Sequence, residues 1–176
     1  MKSIRNAAFA AVITGVVPAS VALADVGHGD SASIGSPGTN PTRTINVSLK
    51  DNFYEPESIS VSKGETVRFV LKNDGEFLHE FNINTPEAHA EHAPMMAMMV
   101  EMGVLEVDRI NHDAMNASKG TGHDMSHDEP NSVLIEPGKS AEIVWKFDTE
   151  AKLEFACNIP GPVSYTHLTL PTNREV

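Results

Sequence analysis

Hydrophobic and polar residues alternate in seven short stretches between residues 45 and 157. A period of two residues is typical of β-strands that bury one face, and turn-forming pairs such as Lys63-Gly64 and Pro137-Gly138 separate the stretches. The predicted strands cover residues 45–49, 59–61, 67–71, 78–83, 133–135, 143–147 and 153–157. Short strands at short spacing predict an all-β fold, an antiparallel sandwich or barrel.

Residues 86–130 interrupt this pattern and form an insert between two predicted strands. Thr85 and Pro86 are residue types that begin a helix, with threonine as the N-cap and proline in the first turn. Methionines then recur at helical spacing, at Met95, Met98, Met99 and Met102. We expect these four to form the buried face of a helix packed over the sandwich, because methionine fills irregular gaps. From residue 111 onward the insert is polar, which predicts a mobile loop.

The first 24 residues have the pattern of a secretory signal peptide. Lys2 and Arg5 precede an apolar stretch, and the small residues of 22–24 suit a signal peptidase, so the mature chain would begin at Asp25. A membrane anchor is the alternative, but the apolar stretch is short and interrupted. We therefore expect export to a bacterial periplasm, with no membrane span after cleavage. Residues 25–42 are rich in glycine, proline and serine and predict a flexible leader.

The formal net charge of −11 argues against nucleic acid as a partner, because binding to phosphates needs clustered lysine and arginine. Cys157 is the single cysteine, so no disulfide can form within the chain. In an exported protein, a lone thiol indicates an intermolecular bridge, a reactive group or a metal ligand. The chain has no Gly-x-Ser-x-Gly, phosphate-loop or His-Glu-x-x-His motif, so we expect no enzyme activity.

His79 and Cys157 are the candidate metal ligands, each on or beside a predicted strand. An imidazole and a thiolate suit copper, and two histidines, one cysteine and a weak axial thioether form an electron-transfer site. A buried core thiol is the alternative interpretation of Cys157, and a hydrogen-bonded strand histidine is the alternative interpretation of His79.

The motifs around these two residues resemble those of the cupredoxins, the plastocyanin- and azurin-like blue copper proteins. The matching segments are Tyr54-Glu55-Pro56, residues 61–67, His79-Glu80-Phe81, Glu136-Pro137-Gly138 and residues 155–161. The similarity is greatest to the periplasmic group with a Met/His-rich insert, some of whose members are linked to copper tolerance. The resemblance covers residues 43–161 and implies a monomeric, antiparallel Greek-key cupredoxin β-sandwich, with the insert at about 86–130.

The resemblance also implies four ligands to one type 1 copper ion. His79 and Cys157 match the first two. A histidine should directly follow Gly161, and a methionine should come about five residues later, as the axial thioether of such sites. The chain has Pro162 in the first place and no methionine after Met125. As written, the type 1 site is therefore expected to be incomplete.

Residues 163–176 resemble a translated sequencing adapter, so we expect 162–176 to be a non-native tail. Proline and histidine codons share their first base, so a join within codon 162 is compatible with a native histidine there. The alternative is a divergent final strand that contains Leu168 and Leu170.

The insert offers a possible secondary copper site at His123, Met125 and His127, its densest group of metal-binding residue types. Imidazoles bind Cu²⁺ and thioethers favour Cu⁺. A weaker copper reservoir could therefore form from these residues and from the other methionines and histidines of the insert, namely Met95, Met96, Met98, Met99, Met102, Met115, His89, His92 and His112. Residues of this kind on a solvated loop are the alternative, and the sequence leaves both open.

Three functions are compatible with these features. The first is copper binding with one-electron transfer to redox partner proteins. The second is copper sequestration and tolerance, with the insert helping and with copper-handling proteins as partners. The third is a metal-free interaction module, which the motif around Cys157 disfavours.

Overall fold

The computed structural model of the chain describes residues 34–119, 124–161 and 169–170. Within these residues it contains nine strands and two helices. They are β1 (Ser36–Pro37), β2 (Arg43–Leu49), β3 (Tyr54–Glu55), β4 (Thr66–Asn73), β5 (His79–Asn84), α1 (Pro86–Glu101), α2 (His112–Ser118), β6 (Ser132–Ile135), β7 (Ser140–Lys146), β8 (Leu153–Ala156) and β9 (Thr169–Leu170).

The strands form two sheets. One has the order β1-β7-β4-β2-β3 and the other the order β6-β5-β8-β9. The predicted all-β sandwich is confirmed, with one difference: β2 and β4 pair in parallel, from Arg43 opposite Val67 to Leu49 opposite Asn73, whereas the other pairs are antiparallel. Parallel neighbours need a crossover connection, which residues 50–65 provide after β3 has paired on the far side of β2.

A core of aromatic and aliphatic side chains fills the space between the sheets. Phe69, Phe81, Trp145 and Phe155 are 0 to 1% exposed, and the rings of Phe81 and Phe155 lie 5.2 Å apart. Each large apolar side chain buried in this way contributes about 1.5–3 kcal/mol to folding. The core therefore fixes the positions of β5 and β8, and with them the residues at the ends of these strands.

Two of the strand and leader predictions need correction. Ile59 and Val61 are buried as predicted, but residues 59–61 form no regular strand, because the period-two pattern reports burial and not pairing. Residues 34–42 of the predicted flexible leader belong to the sandwich. Trp145 Nε1 donates to the Ile34 carbonyl at 3.1 Å, and a Cβ on Gly35, whose φ is 123°, would lie 2.2 Å from the Lys146 carbonyl.

The insert begins as the sequence predicts and ends differently. Thr85 caps α1, with its hydroxyl accepting from the Ala88 amide at 3.2 Å. The prediction of an irregular loop from residue 111 is wrong for residues 112–118, which form α2 with Asn111 as its cap. Asparagine favours an N-cap over a helix interior, and it is this capping that begins α2.

The methionines of α1 are also only partly as predicted. Met99 is fully buried, but Met98 and Met102 are 42% and 46% exposed. The buried face of the helix consists instead of His89, His92, Met96 and Met99, which are spaced three or four residues apart. Two histidines on the buried face of α1 need polar partners inside the protein.

In the part of the chain that the structure describes, no helix has the length and hydropathy needed to cross a membrane. The predicted signal peptide at 1–24 lies outside that part, as do His123 and Pro162. Of the predicted tail, only Thr169–Leu170 is described, and its backbone pairs with Leu153 and Glu154 of β8.

Candidate metal centre

His79 and Cys157 lie on the same cavity, although 78 positions separate them in sequence. β5 begins at His79 and β8 ends immediately before Cys157, and these two antiparallel strands are neighbours. Both residues line a cavity of about 300 Å³, together with apolar side chains such as Ile159. Both are almost completely buried, with 3% and 6% of their surfaces exposed. The fold thus brings the two predicted ligands to one place.

Asp51 holds the ring of His79 in position. Its Oδ1 lies 3.2 Å from His79 Nε2 and also accepts from the backbone amides of Glu76 and Phe77. Gly75 permits this arrangement, because a Cβ there would lie 2.1 Å from Asp51 Oδ1 and 2.9 Å from His79 Nε2. With Nε2 as the donor, Nδ1 is the ring nitrogen that keeps a lone pair.

Burial controls the protonation of both residues. It lowers the pKa of His79 and outweighs the opposing effect of Asp51, so the ring is neutral at neutral pH, as a metal ligand must be. Burial raises the pKa of Cys157 to about 11, although the sulfur accepts a hydrogen bond from the Glu80 amide at 3.4 Å. Cys157 therefore carries its proton until a metal displaces it.

Glu80 follows His79 on β5 and is the centre of a second polar group. Its Oε1 accepts from His92 Nε2 at 2.9 Å, from His127 Nε2 at 3.0 Å, from the Ser132 hydroxyl at 2.9 Å and from Asn82 Nδ2 at 3.1 Å. Its Oε2 accepts from the backbone and side-chain amides of Asn158 at 2.9 and 2.8 Å. The carboxylate is 0% exposed. Asn158 holds its Oε2, and the two imidazoles contact its Oε1.

These contacts keep Glu80 ionised. Burial alone would raise its pKa, but the hydrogen bonds from His127 and His92 hold the pKa of Glu80 well below its usual value. The effect is mutual for one histidine: burial would lower the pKa of His127, but Glu80 raises it above the usual value. Buried charges are tolerated only when they are paired and hydrogen-bonded in this way.

The second ring nitrogen of His127 faces another carboxylate. His127 Nδ1 lies 3.4 Å from Glu129 Oε2, which is within ion-pair distance. Both atoms are buried, and neither has a hydrogen-bond partner among the residues that the structure describes. The two groups therefore face each other at ion-pair distance without forming a hydrogen bond.

Sequence reasoning did not single out Glu80, and it named His92 only as one of the many methionines and histidines of the insert that could hold a copper reservoir. The available signal was the spacing of His89 and His92 along the first turns of a helix that was expected to be amphipathic. His89 contacts the Glu154 carbonyl and the Asn158 side-chain amide instead of Glu80. The predicted grouping of Met125 with His127 is not observed, because Met125 packs in a hydrophobic cluster with Leu78, Met96 and Met99, whereas His127 contacts Glu80.

Comparison with known proteins finds a matching family model and several similar proteins. A family model described as a cupredoxin-like domain matches residues 30–98. The copper-resistant cuproprotein CopI of Pseudomonas aeruginosa is 44% identical over 156 residues, which cover 85% of this chain and 86% of that protein. CopI of Rubrivivax gelatinosus is 33% identical over 158 residues, or 81% and 82% of the two chains. Among solved structures, auracyanin B has a TM-score of 0.47 and 16% identity, covering 72% of this chain and 86% of its own.

Proposed function

Because the chain belongs to the cupredoxin family, as a relative of the CopI cuproproteins, we propose that it binds copper through His79 and Cys157 and contributes to copper tolerance. The observation that carries this proposal is the 44% identity to a copper-resistant cuproprotein over nearly the full length of both chains. The common cavity of His79 and Cys157 supports it independently.

The residues of the cavity fit copper in chemical type. Copper takes imidazole and thiolate ligands and supplies a centre that can gain and lose one electron. Asp51 orients His79 so that Nδ1 is its ligand atom, in the way that outer carboxylates orient metal-binding histidines. The Glu80 amide donates to Cys157 Sγ and stabilises the sulfur when it carries negative charge.

The second candidate function is one-electron transfer to a protein partner. Its support is the exposed apolar surface beside the cavity, where Phe77 is 38% and Val107 is 70% exposed. Both side chains line the cavity that His79 and Cys157 share, so a partner docked on them would lie close to the metal. We expect either function to operate in the periplasm, on the basis of the export signal that the sequence predicts at 1–24.

Position 162 gives a direct test of the copper site. We expect the unmodified chain to bind copper without the intense blue band of a thiolate–copper centre, because the family pattern places a third ligand where Pro162 stands. Pro162→His should produce the band in part, and adding Cys157→Ser should abolish it. A strong blue band in the unmodified chain, or one that survives Cys157→Ser, would overturn the assignment.

Two experiments distinguish copper tolerance from electron transfer, one in cells and one in solution. A strain that lacks the gene should become copper-sensitive and recover with the Pro162→His form but not with its Cys157→Ser derivative. Fast electron self-exchange of the purified protein, together with normal copper tolerance of the strain that lacks the gene, would favour the electron carrier instead.

A further inference from the structure

Three donor atoms from separate parts of the chain meet inside the protein at Glu80. Glu80 lies on β5, His92 on α1 and His127 in the segment that leads to β6. The nitrogens of the two histidines lie 2.9 and 3.0 Å from the same carboxylate oxygen, and the side chains are 0 to 8% exposed. In a square-planar or tetragonal site, which Cu²⁺ prefers, neighbouring ligand atoms are about 2.9 Å apart when the metal–ligand bonds are about 2.0–2.1 Å. The separations between the carboxylate oxygen and the two nitrogens are therefore already close to those that such an ion requires.

The groups around these atoms have the arrangement that metal ligands require. Metal-binding histidines direct their second nitrogen to a carboxylate, and bound carboxylates are held by hydrogen bonds of their own. His127 Nδ1 faces Glu129 Oε2 at 3.4 Å, and Asn158 holds Glu80 Oε2 with two hydrogen bonds. Among the described residues, these atoms of His127 and Glu129 are buried without a hydrogen bond, and this is explained if His127 Nε2 binds a metal and its Nδ1–H turns to Glu129.

The charges also favour a divalent cation. Glu80 is completely buried, and the Glu129 side chain is only 18% exposed. With both histidines neutral, as ligands must be, a 2+ ion would balance these two carboxylates. Unbalanced carboxylates in such an environment are strongly disfavoured.

We propose that Glu80, His92 and His127 form a second metal site, which binds Cu²⁺ through Glu80 Oε1 and the two Nε2 atoms. Imidazole and carboxylate ligands suit a divalent first-row ion, and among these ions Cu²⁺ binds most tightly to a given site of this kind. The site contains no thiolate or thioether, so it differs from the site at His79 and Cys157 in favouring the oxidised ion. It stands independently of the proposed function.

The test begins from a full-length variant that lacks both ligands of the first site, Cys157→Ser with His79→Gln. We expect this protein to bind one Cu²⁺ ion tightly when titrated against a competing chelator, with nitrogen hyperfine coupling from two imidazoles in its electron paramagnetic resonance spectrum. Adding His127→Gln should weaken the binding at least tenfold. The blue band in the Pro162→His form tests the first site separately, so the two proposals can fail independently.

His89→Gln is the matched control, since His89 is a buried histidine of α1 that does not contact Glu80. It should change the Cu²⁺ affinity less than threefold, whereas a merely structural role for the buried histidines predicts equal losses for His89→Gln and His127→Gln. Equal losses, or no tight Cu²⁺ in the starting variant, would overturn the proposal. Fluorescence of the buried Trp145 reports folding, and His92→Gln replaces any variant that does not fold. If neither variant folds, two-imidazole coupling in the starting protein supports the site and its absence overturns it.

Discussion

His79 and Glu80 are neighbours on β5, but their side chains lie in opposite kinds of surroundings. His79 faces a cavity of about 300 Å³, and among the described residues its side chain has one polar partner, Asp51. Glu80 is completely buried and accepts six hydrogen bonds, which come from residues of both the sandwich and the insert. The alternation of side chains along a strand separates the two environments within a single residue step.

This difference indicates a division of labour. The His79 side has space and few fixed contacts, so residues there can be changed at small cost to the fold. The Glu80 side joins α1 and the segment before β6 to the sandwich through a buried charge, so it should dominate stability. The two sides are nevertheless connected, because the Glu80 amide donates to Cys157 Sγ.

Replacing Glu80 should cause the largest loss of stability. Glu80→Ala leaves the buried polar groups of His92, His127 and Asn158 without their acceptor. Removing one partner from a buried ion pair typically costs 3–5 kcal/mol, so we expect the free energy of unfolding to fall by about 4 kcal/mol. Urea denaturation of the metal-free protein measures this loss.

Glu76→Ala is the control, because it removes an exposed glutamate from the turn before β5. Substitutions at exposed sites of this kind usually change stability by less than about 0.5 kcal/mol. If the two variants lost similar amounts of stability, the Glu80 side would not be the structural one.

Met99 and Met98 sharpen the comparison on the insert side. Met99 is 0% exposed and lies on the buried face of α1 in the hydrophobic cluster with Leu78, whereas Met98 is 42% exposed. Met99→Ala should therefore lower the free energy of unfolding by about 3 kcal/mol, within the range for buried methionine, and Met98→Ala by less than about 0.5 kcal/mol. Equal small effects in urea denaturation would mean that α1 contributes little to the stability of the folded protein.

The sequence predicted the sandwich better than the insert for a physical reason. The alternation of residues such as Val67, Phe69 and Leu71 reflects which face of a strand is buried, and β4 forms at that place. Ile59 and Val61 obey the same rule for burial, but no pattern of hydrophobicity specifies hydrogen-bond partners. Pairing depends on the path of the whole chain.

Hydrophobic patterns cannot predict the polar cluster around Glu80, because its members are distant in sequence. Hydropathy places a glutamate such as Glu80 on the surface, and only partners brought in by the fold make its burial possible. His92 and His127 are 12 and 47 positions away. On the other side of β5, the resemblance around His79 and Cys157 predicted both residues, but the contact with Asp51, 28 positions before His79, depends on a turn that brings Gly75 close.

Asp51 gives the smallest of the expected effects, on the His79 side. In the Pro162→His background, Asp51→Ala removes the carboxylate that orients His79 and should weaken copper binding about 10–100-fold, equivalent to about 1.4–2.7 kcal/mol. Stability should fall by no more than about 1 kcal/mol, because Asp51 is partly exposed and water can replace its contacts.

Asp108→Ala, at an exposed aspartate, should leave both the copper affinity and the stability unchanged. In Asp51→Ala, the loss of copper affinity relative to the loss of stability distinguishes an orienting role of Asp51 from a structural one. A large loss of copper affinity with a small loss of stability would contrast with Glu80→Ala, for which a large loss of stability is expected. If Asp51→Ala instead destabilised the fold as strongly as Glu80→Ala, the open side of β5 would be structural too, and the division between the neighbouring residues would not hold.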